Sequence, residues 1–66
     1  MTQGVVQEGT QFRVYDDENK LGDREHLTDT ITAPMRCRTA AERREWFAQT
    51  MFAQSLGEYT MYGEKK

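Results

Sequence analysis

The helical segment of this chain reads TAAERREWFAQTMFAQSLG over residues 39–57, and strand-like patterns lie on both sides of it. Thr39 and Glu42 have the spacing of a capping box, in which the threonine hydroxyl accepts a hydrogen bond from the glutamate backbone N–H. Gly57 follows Leu56 and is typical of a helix C-cap. These signals predict a single helix that begins after Thr39 and runs to about Ser55. At helical spacing, its core-facing stripe consists of Ala40, Phe47, Ala48, Met51 and Phe52, with Ala41 beside them.

Two segments before the helix alternate between apolar and polar residues, with the two-residue period of a half-buried strand. In the first, Gln11–Tyr15, Phe12 and Val14 face one way while Arg13 and Tyr15 face the other. The second covers residues 27–38 and contains Pro34, which predicts an edge strand or a break there. One face of the second strand is Leu27, Ile31, Ala33, Met35 and Cys37; the other is Thr28, Thr30, Thr32, Pro34, Arg36 and Arg38.

Residues 58–62 resume a strand pattern, residues 16–23 are rich in turn formers, and residues 63–66 predict a charged tail. Residues 1–10 are interpreted as a loose arm or a short edge strand. The predicted fold is therefore a single α+β domain over residues 1–66: a three-stranded, mainly antiparallel sheet with one helix on one face, in the order β-β-α-β. Its predicted core is Phe12, Val14, Leu27, Ile31, Phe47, Met51, Phe52 and Met61.

Charge is distributed unevenly along the chain, whose formal net charge is −2. Residues 1–35 carry three basic and seven acidic groups, a net −4, whereas residues 36–66 carry six basic and four acidic groups, a net +2. The overall balance is not the basic one expected of a strong nucleic-acid binder.

The numbers of cysteine and histidine residues restrict the disulfides and metal sites that the chain can form, and with them the expected cellular compartment. The chain has one cysteine and one histidine. No disulfide can form within it, and this pair cannot build a structural zinc site, so we expect no metal and no cofactor. No apolar stretch is long enough to cross a bilayer. Residues 1–4 lack the basic region and apolar run of a signal peptide, and a reducing cytoplasm is the expected location.

Catalytic and calcium-binding interpretations fail on spacing. Counted from Asp17, the fifth position of an EF-hand loop is Leu21 and the twelfth is Thr28, and neither supplies the required ligand. His26 and Cys37 would lie some 30 Å apart in a continuous strand at about 3.3 Å per residue. Cys37 is therefore predicted to be a small buried residue, and the chain is predicted not to be an enzyme.

The candidate binding residues are arginines and aromatic residues. Arg36, Arg38 and Arg43 lie close together in the sequence, next to Arg44. These arginines either contact a partner or are ordinary surface charge. In the second case, Arg43 and Arg44 are neutralised by Glu42 and Glu45. Trp46 lies away from the core-facing stripe and is either an exposed interface anchor or packs over the N-terminal arm or a sheet edge. The predicted partner-binding set is Arg13, Tyr15, Arg36, Arg38, Arg43, Trp46 and Tyr62.

Three functions are compatible with these features. The leading hypothesis is a small protein-binding regulator or inhibitor, encoded by a phage or mobile element, that docks on a larger protein or complex. The alternatives are a nucleic-acid-binding module that uses Arg13, Arg36 and Arg38 on the sheet face, and a self-associating structural protein such as a homodimer. In element order alone, the chain resembles small three-strand-plus-helix modules, which include DNA-binding arms of recombinases and phage inhibitors of host machinery. This resemblance assigns no residue.

Overall fold

The structure, a computed structural model, describes residues 2–63. The elements are β1 (Gln3–Glu8), β2 (Gln11–Tyr15), β3 (Leu27–Thr32), α1 (Ala40–Gln49), α2 (Met51–Leu56) and β4 (Tyr59–Tyr62). Two 3₁₀ turns, Glu18–Lys20 and Arg24–His26, lie in the loop between β2 and β3. The predicted α+β class is confirmed. Of the predicted charged tail, residues 64–66 lie outside the described residues.

The sheet has four strands in the order β3-β2-β1-β4, which corrects the predicted three-stranded sheet. β2 pairs antiparallel with β1 and β3, whereas β1 and β4 pair in parallel. The predicted arm or edge strand over residues 1–10 is wrong, because β1 lies in the sheet interior. The polar residue Gln7 occupies a buried position of β1 and so interrupts the apolar alternation by which a strand is predicted from sequence. That residue is 2% exposed, and its side-chain amide donates to the carbonyl oxygen of Ala40 at 2.9 Å.

β3 is an edge strand and ends at Thr32, so the strand predicted over residues 27–38 is too long. Directly after the end of β3, the Ala33 N–H donates to the Thr10 carbonyl oxygen, with 2.7 Å between the nitrogen and the oxygen. Beyond Pro34 the chain turns, and the Cys37 N–H donates to the Pro34 carbonyl oxygen at 3.1 Å. The predicted break at Pro34 is therefore confirmed, as is the burial of Cys37.

The helical segment is divided at Thr50 into two helices, which corrects the predicted single helix. Thr50 has ψ 151°, and its hydroxyl donates to Phe47 O at 2.7 Å and accepts from Ala53 N–H at 3.1 Å. One side chain thus ends α1 and caps α2. The predicted caps at Thr39 and Gly57 are confirmed: Glu42 N–H donates to the Thr39 hydroxyl at 3.1 Å, and Gly57 has φ +74°.

Aromatic rings form the centre of the core. Phe47 of α1 stacks on Phe12 of β2 with centroids 4.6 Å apart, and it meets Phe52 and Tyr59 edge-on. The core cluster consists of Val5, Phe12, Val14, Ala33, Phe47 and Ala53, with Ile31, Trp46, Phe52, Leu56, Tyr59 and Met61 packed against it.

Two predicted core residues are exposed, Leu27 at 36% and Met51 at 79%. Met51 begins α2 immediately after the break at Thr50, so it does not continue the stripe of α1. Leu27 lies beyond a register shift between Val14 and Tyr15, which disrupts the regular alternation of faces.

The second face of the sheet is partly covered by the loop of residues 16–26. A Cβ added to Gly4 would lie 2.7 Å from the Leu21 Cδ2 and 3.0 Å from the Glu18 Cα. Only glycine therefore allows the loop to lie this close to β1. No helix within residues 2–63 is long and apolar enough to span a bilayer.

Candidate partner-binding grooves

Two surface grooves contain most of the candidate binding residues. The helix-side groove, of about 270 Å³, is lined by Arg36, Cys37, Glu42, Glu45, Trp46 and Gln49. The sheet-face groove, of about 170 Å³, is lined by Val6, Glu8, Arg13, Tyr15, Leu21, Gly22, Tyr62 and Gly63.

The helix-side groove lies between α1 and the turn that follows β3. Glu42, Glu45, Trp46 and Gln49 form the α1 wall, since residues three or four apart share one helical face. Arg36 and Cys37 come from the chain segment before Thr39, which the capping box joins to α1. The turn after Pro34 thus places one cation near the two carboxylates of the helix.

Arg43 holds this turn against the rest of the molecule. Its Nε donates to Cys37 O at 3.3 Å, Nη1 to Gly9 O at 3.2 Å and Nη2 to Arg38 O at 3.4 Å. The planar guanidinium can satisfy several carbonyls at fixed angles, which a lysine cannot. Arg43 lines neither groove, and neither it nor Arg44 forms an ion pair with Glu42 or Glu45 within residues 2–63. The structure therefore gives Arg43 a supporting position.

Trp46 belongs both to the groove and to the packing of the core. It is half-buried, and its ring lies 6.2 Å from that of Phe12, centroid to centroid. Neither predicted position for Trp46 is correct in full, because β2, which carries Phe12, is an inner strand. One part of the indole therefore packs on the core, while another part forms a wall of the groove.

The charged side chains of the helix-side groove differ in whether they already have a hydrogen-bond partner. Glu42 is occupied by the helix cap, where its carboxylate accepts from the Thr39 hydroxyl at 3.3 Å. The side chains of Arg36 and Glu45 form no hydrogen bond or ion pair with any residue in the described part of the chain. Met35, directly before Arg36, is 96% exposed. This end of the molecule thus offers two unpaired charges, an aromatic wall and an exposed apolar side chain.

The sheet-face groove is built on a row of three directly opposed residues, in which Val6 of β1 pairs with Arg13 of β2 and with Tyr62 of β4. The Arg13 guanidinium donates to the Glu8 carboxylate at 3.2 Å. These are the two charged side chains that line this groove, and they neutralise each other.

The loop of residues 16–26 closes one end of the sheet-face groove. It buries Tyr15 to 5% exposure, although this residue lies on the predicted face of β2. The Tyr62 hydroxyl donates to the Glu18 carboxylate at 3.2 Å. Partial burial, followed by the hydrogen bond and the negative charge of Glu18, raises the pKa of Tyr62 above its usual 10.0. Tyr62 therefore remains a neutral donor that holds the loop on β4.

His26 and Asp16 hold the two ends of the loop together. His26 Nδ1 lies 2.8 Å from the Asp16 carboxylate, and the Asp16 N–H donates to His26 O at 2.9 Å. The hydrogen bond to Asp16, helped by the charges of Asp16 and Asp23, raises the pKa of His26 above 6.5, against desolvation and the charge of Lys20. Within residues 2–63, no three acidic, histidine or cysteine side chains are grouped closely enough to hold a metal ion.

The structure divides the predicted binding set. It brings Arg13, Tyr15 and Tyr62 together in the sheet-face groove, and Arg36 and Trp46 together in the helix-side groove. Arg38 is exposed and lines neither groove.

Sequence reasoning missed Met35 and Glu45 as candidate binding residues. The predicted strand over residues 27–38 places Met35 on the same face as the predicted core residues Leu27 and Ile31, whereas β3 ends at Thr32. Pro34, one residue earlier, was the signal that the strand had already ended.

Comparisons with known proteins add no further assignment, since no family model, no curated protein and no solved structure matches this chain.

Proposed function

We propose that this chain is a non-enzymatic protein-binding regulator or inhibitor that docks on a larger protein through the helix-side groove. The observation that carries this proposal is the exposure of Met35, 96%, at the residue directly before Arg36 of the groove. Large apolar side chains exposed beside a polar groove mark interaction sites when they join a contiguous surface. Met35 is the neighbour in sequence of Arg36, which lines the groove together with Trp46, and we take these three side chains as one docking surface.

The residue types of this surface support a protein partner. Tryptophan, methionine and arginine are enriched where proteins meet, and tryptophan and arginine are the most frequent energetic anchors. Trp46 packs on Phe12 and the turn is held by Arg43, so the indole ring and the backbone of the turn have little conformational freedom to lose on binding. A preorganised surface binds more tightly for the same contact area.

The geometry gives less support to a nucleic-acid partner. That alternative requires Arg13, Arg36 and Arg38 on one strand face, but β3 ends at Thr32, before Arg36 and Arg38. Arg13 already pairs with Glu8, so binding a phosphate would first break that ion pair. A chain of net charge −2 also repels phosphates at long range.

Self-association through the β3 edge is opposed by Asp29. In the pairing with β2, the backbone groups of Thr28, Thr30 and Thr32 point to the open edge. The Asp29 carboxylate accepts the Thr30 N–H at 2.8 Å and so occupies the central donor. Charged side chains of this kind protect an edge strand against pairing with another copy.

The proposal is tested by affinity capture of the tagged chain from a lysate of its native or host cell, with and without nuclease. Two variants are compared, Met35→Asp beside the groove and Met51→Asp, an exposed methionine on α2, as the control. We expect a nuclease-resistant protein partner that Met35→Asp loses and Met51→Asp retains. Capture that disappears with nuclease, or that survives Met35→Asp, contradicts the proposal. The purified partner then allows the affinities to be measured by calorimetry.

A further inference from the structure

Glu45 and Trp46 are neighbours in the α1 wall of the helix-side groove, and Glu42 lies one turn before them. Glu45 is the unpaired member of this set within the described residues, since Glu42 caps the helix. An aromatic wall next to a free carboxylate is the chemistry that receives a cationic side chain. The ring face attracts the cation, the carboxylate supplies hydrogen-bond acceptors, and the aliphatic stem covers the apolar part of the ring.

From this arrangement, we infer that the helix-side groove receives an arginine or lysine side chain of the partner, with its stem against Trp46 and its head group at Glu45. This inference rests on the proposed function and specifies the partner's chemistry. The lining carries two carboxylates and one guanidinium, a formal charge of −1, which favours a cation.

Arg36 adds a condition on the partner. Its guanidinium also has no partner within residues 2–63 and faces the same groove. It opposes a lone cation and attracts an acidic group. The best occupant therefore carries a basic residue for Glu45 and an acidic residue nearby for Arg36, so that both charges of the groove are satisfied at once.

The sheet-face groove lacks these properties. Its charged lining consists of Arg13 and Glu8, which already form an ion pair at 3.2 Å. A charged ligand would have to break that pair to gain one of its own. Because the charges of the helix-side groove are unpaired and those of the sheet-face groove are paired, the charged ligand is expected in the helix-side groove.

Trp46 gives a direct measurement, because it is the only tryptophan of the chain and lines the groove. The probe is a blocked peptide with one arginine and one aspartate separated by alanine. Two comparison peptides replace the arginine by glutamine or the aspartate by alanine. We expect the first peptide to change Trp46 fluorescence saturably at millimolar concentration and to shift amide resonances over residues 36–49. We expect the glutamine peptide not to bind and the alanine peptide to bind less well.

Variants of Glu45 and Arg36 measure separately what each of these two charges contributes to peptide binding. Glu45→Gln should weaken binding of the arginine–aspartate peptide about three- to fivefold, as expected for a partly exposed charge pair. Glu58→Gln removes an exposed carboxylate outside the groove and should have no effect. Arg36→Gln should remove the preference for aspartate, whereas Arg44→Gln, on α1 but outside the groove, should keep it.

Three results overturn the inference: no fluorescence change at millimolar peptide, equal binding of the glutamine peptide, or normal binding by Glu45→Gln. Failure of the inference is distinguishable from failure of the proposed function. If Met35→Asp abolishes capture of a protein partner while Glu45→Gln leaves it unchanged, the docking function stands and the cationic ligand does not.

Discussion

On one face of the sheet, Phe12 and Phe47 stack at 4.6 Å beneath the helices, whereas on the other face the loop of residues 16–26 is held mainly by polar contacts. The first face excludes water from fully buried rings. The second depends on Tyr62 with Glu18 and on His26 with Asp16, and these groups remain partly exposed. Burial of apolar surface dominates the free energy of folding, while exposed polar pairs add little. The helix-covered face should therefore control global unfolding, and the loop should open locally at lower cost.

The largest expected effect is that of Phe47→Ala, which removes the ring at the centre of the core. Truncation of a buried phenylalanine costs about 3–5 kcal/mol. A domain of this length has a free energy of unfolding of roughly 3–10 kcal/mol, at about 0.05–0.15 kcal/mol per residue. Urea denaturation should therefore show the loss of a large part of the free energy of unfolding, about 3–5 kcal/mol relative to wild type. Met51→Ala, which truncates an exposed apolar side chain in the same layer, should remain close to wild type. Equal loss in both variants would refute the proposed centre of the core.

A smaller effect is expected for Gly4→Val, which tests the loop-covered face. The Cβ would lie 2.7 Å from Leu21 Cδ2 and 3.0 Å from the Glu18 backbone, so the loop must move outward. Overpacking of this kind costs about 1–3 kcal/mol. Hydrogen exchange should become faster over residues 16–26 while the amides of α1 stay protected. Gly63→Val, where nothing lies within 4 Å of the added Cβ, is the control. If exchange rises equally throughout the chain, the loop is not an independent unit.

The smallest effect is the pH dependence of the loop, which His26 should determine. Because the folded-state pKa is raised, the stabilisation is fully present below the unfolded value of 6.5 and is lost as the pH rises through the folded value. The free energy of unfolding of wild type minus that of His26→Gln should therefore fall as the pH rises from below 6.5 through the raised folded-state pKa of His26. NMR titration of His26 provides the direct check. A midpoint at or below 6.5 would contradict the ion pair with Asp16.

Local signals predicted much of the helical layer and β2. The caps at Thr39 and Gly57 are set by hydrogen bonds and backbone angles within a few residues, so their sequence patterns were sufficient. The alternation of Phe12 and Val14 was equally local. Thr50 is also a residue type that favours an N-cap, but Ala53 stands where a capping box needs glutamate or glutamine, and the continuous run of helix-forming residues concealed the break.

Long-range contacts explain what the sequence did not reveal. Gln7 resembles an exposed residue until Ala40, 33 positions later, provides the carbonyl that satisfies its amide. Tyr15 was placed on the correct face of β2, but its burial depends on a loop held by Tyr62 on another strand. The helix-side groove follows the same rule: Arg36 and Trp46 line it together, and Arg43 joins the turn that carries Arg36 to the β1–β2 hairpin at Gly9.

The pairing of β1 with β4 also has a consequence for synthesis on the ribosome. β1 is made before its parallel partner, which begins 56 residues later, with Gln3 opposite Tyr59. The hairpin of β1 and β2 can form as soon as both strands have emerged, whereas one edge of β1 stays unpaired until residues 59–62 are free. During that interval, an inner strand of the finished protein has an open edge, whose unpaired N–H and C=O groups are a template for pairing with another chain.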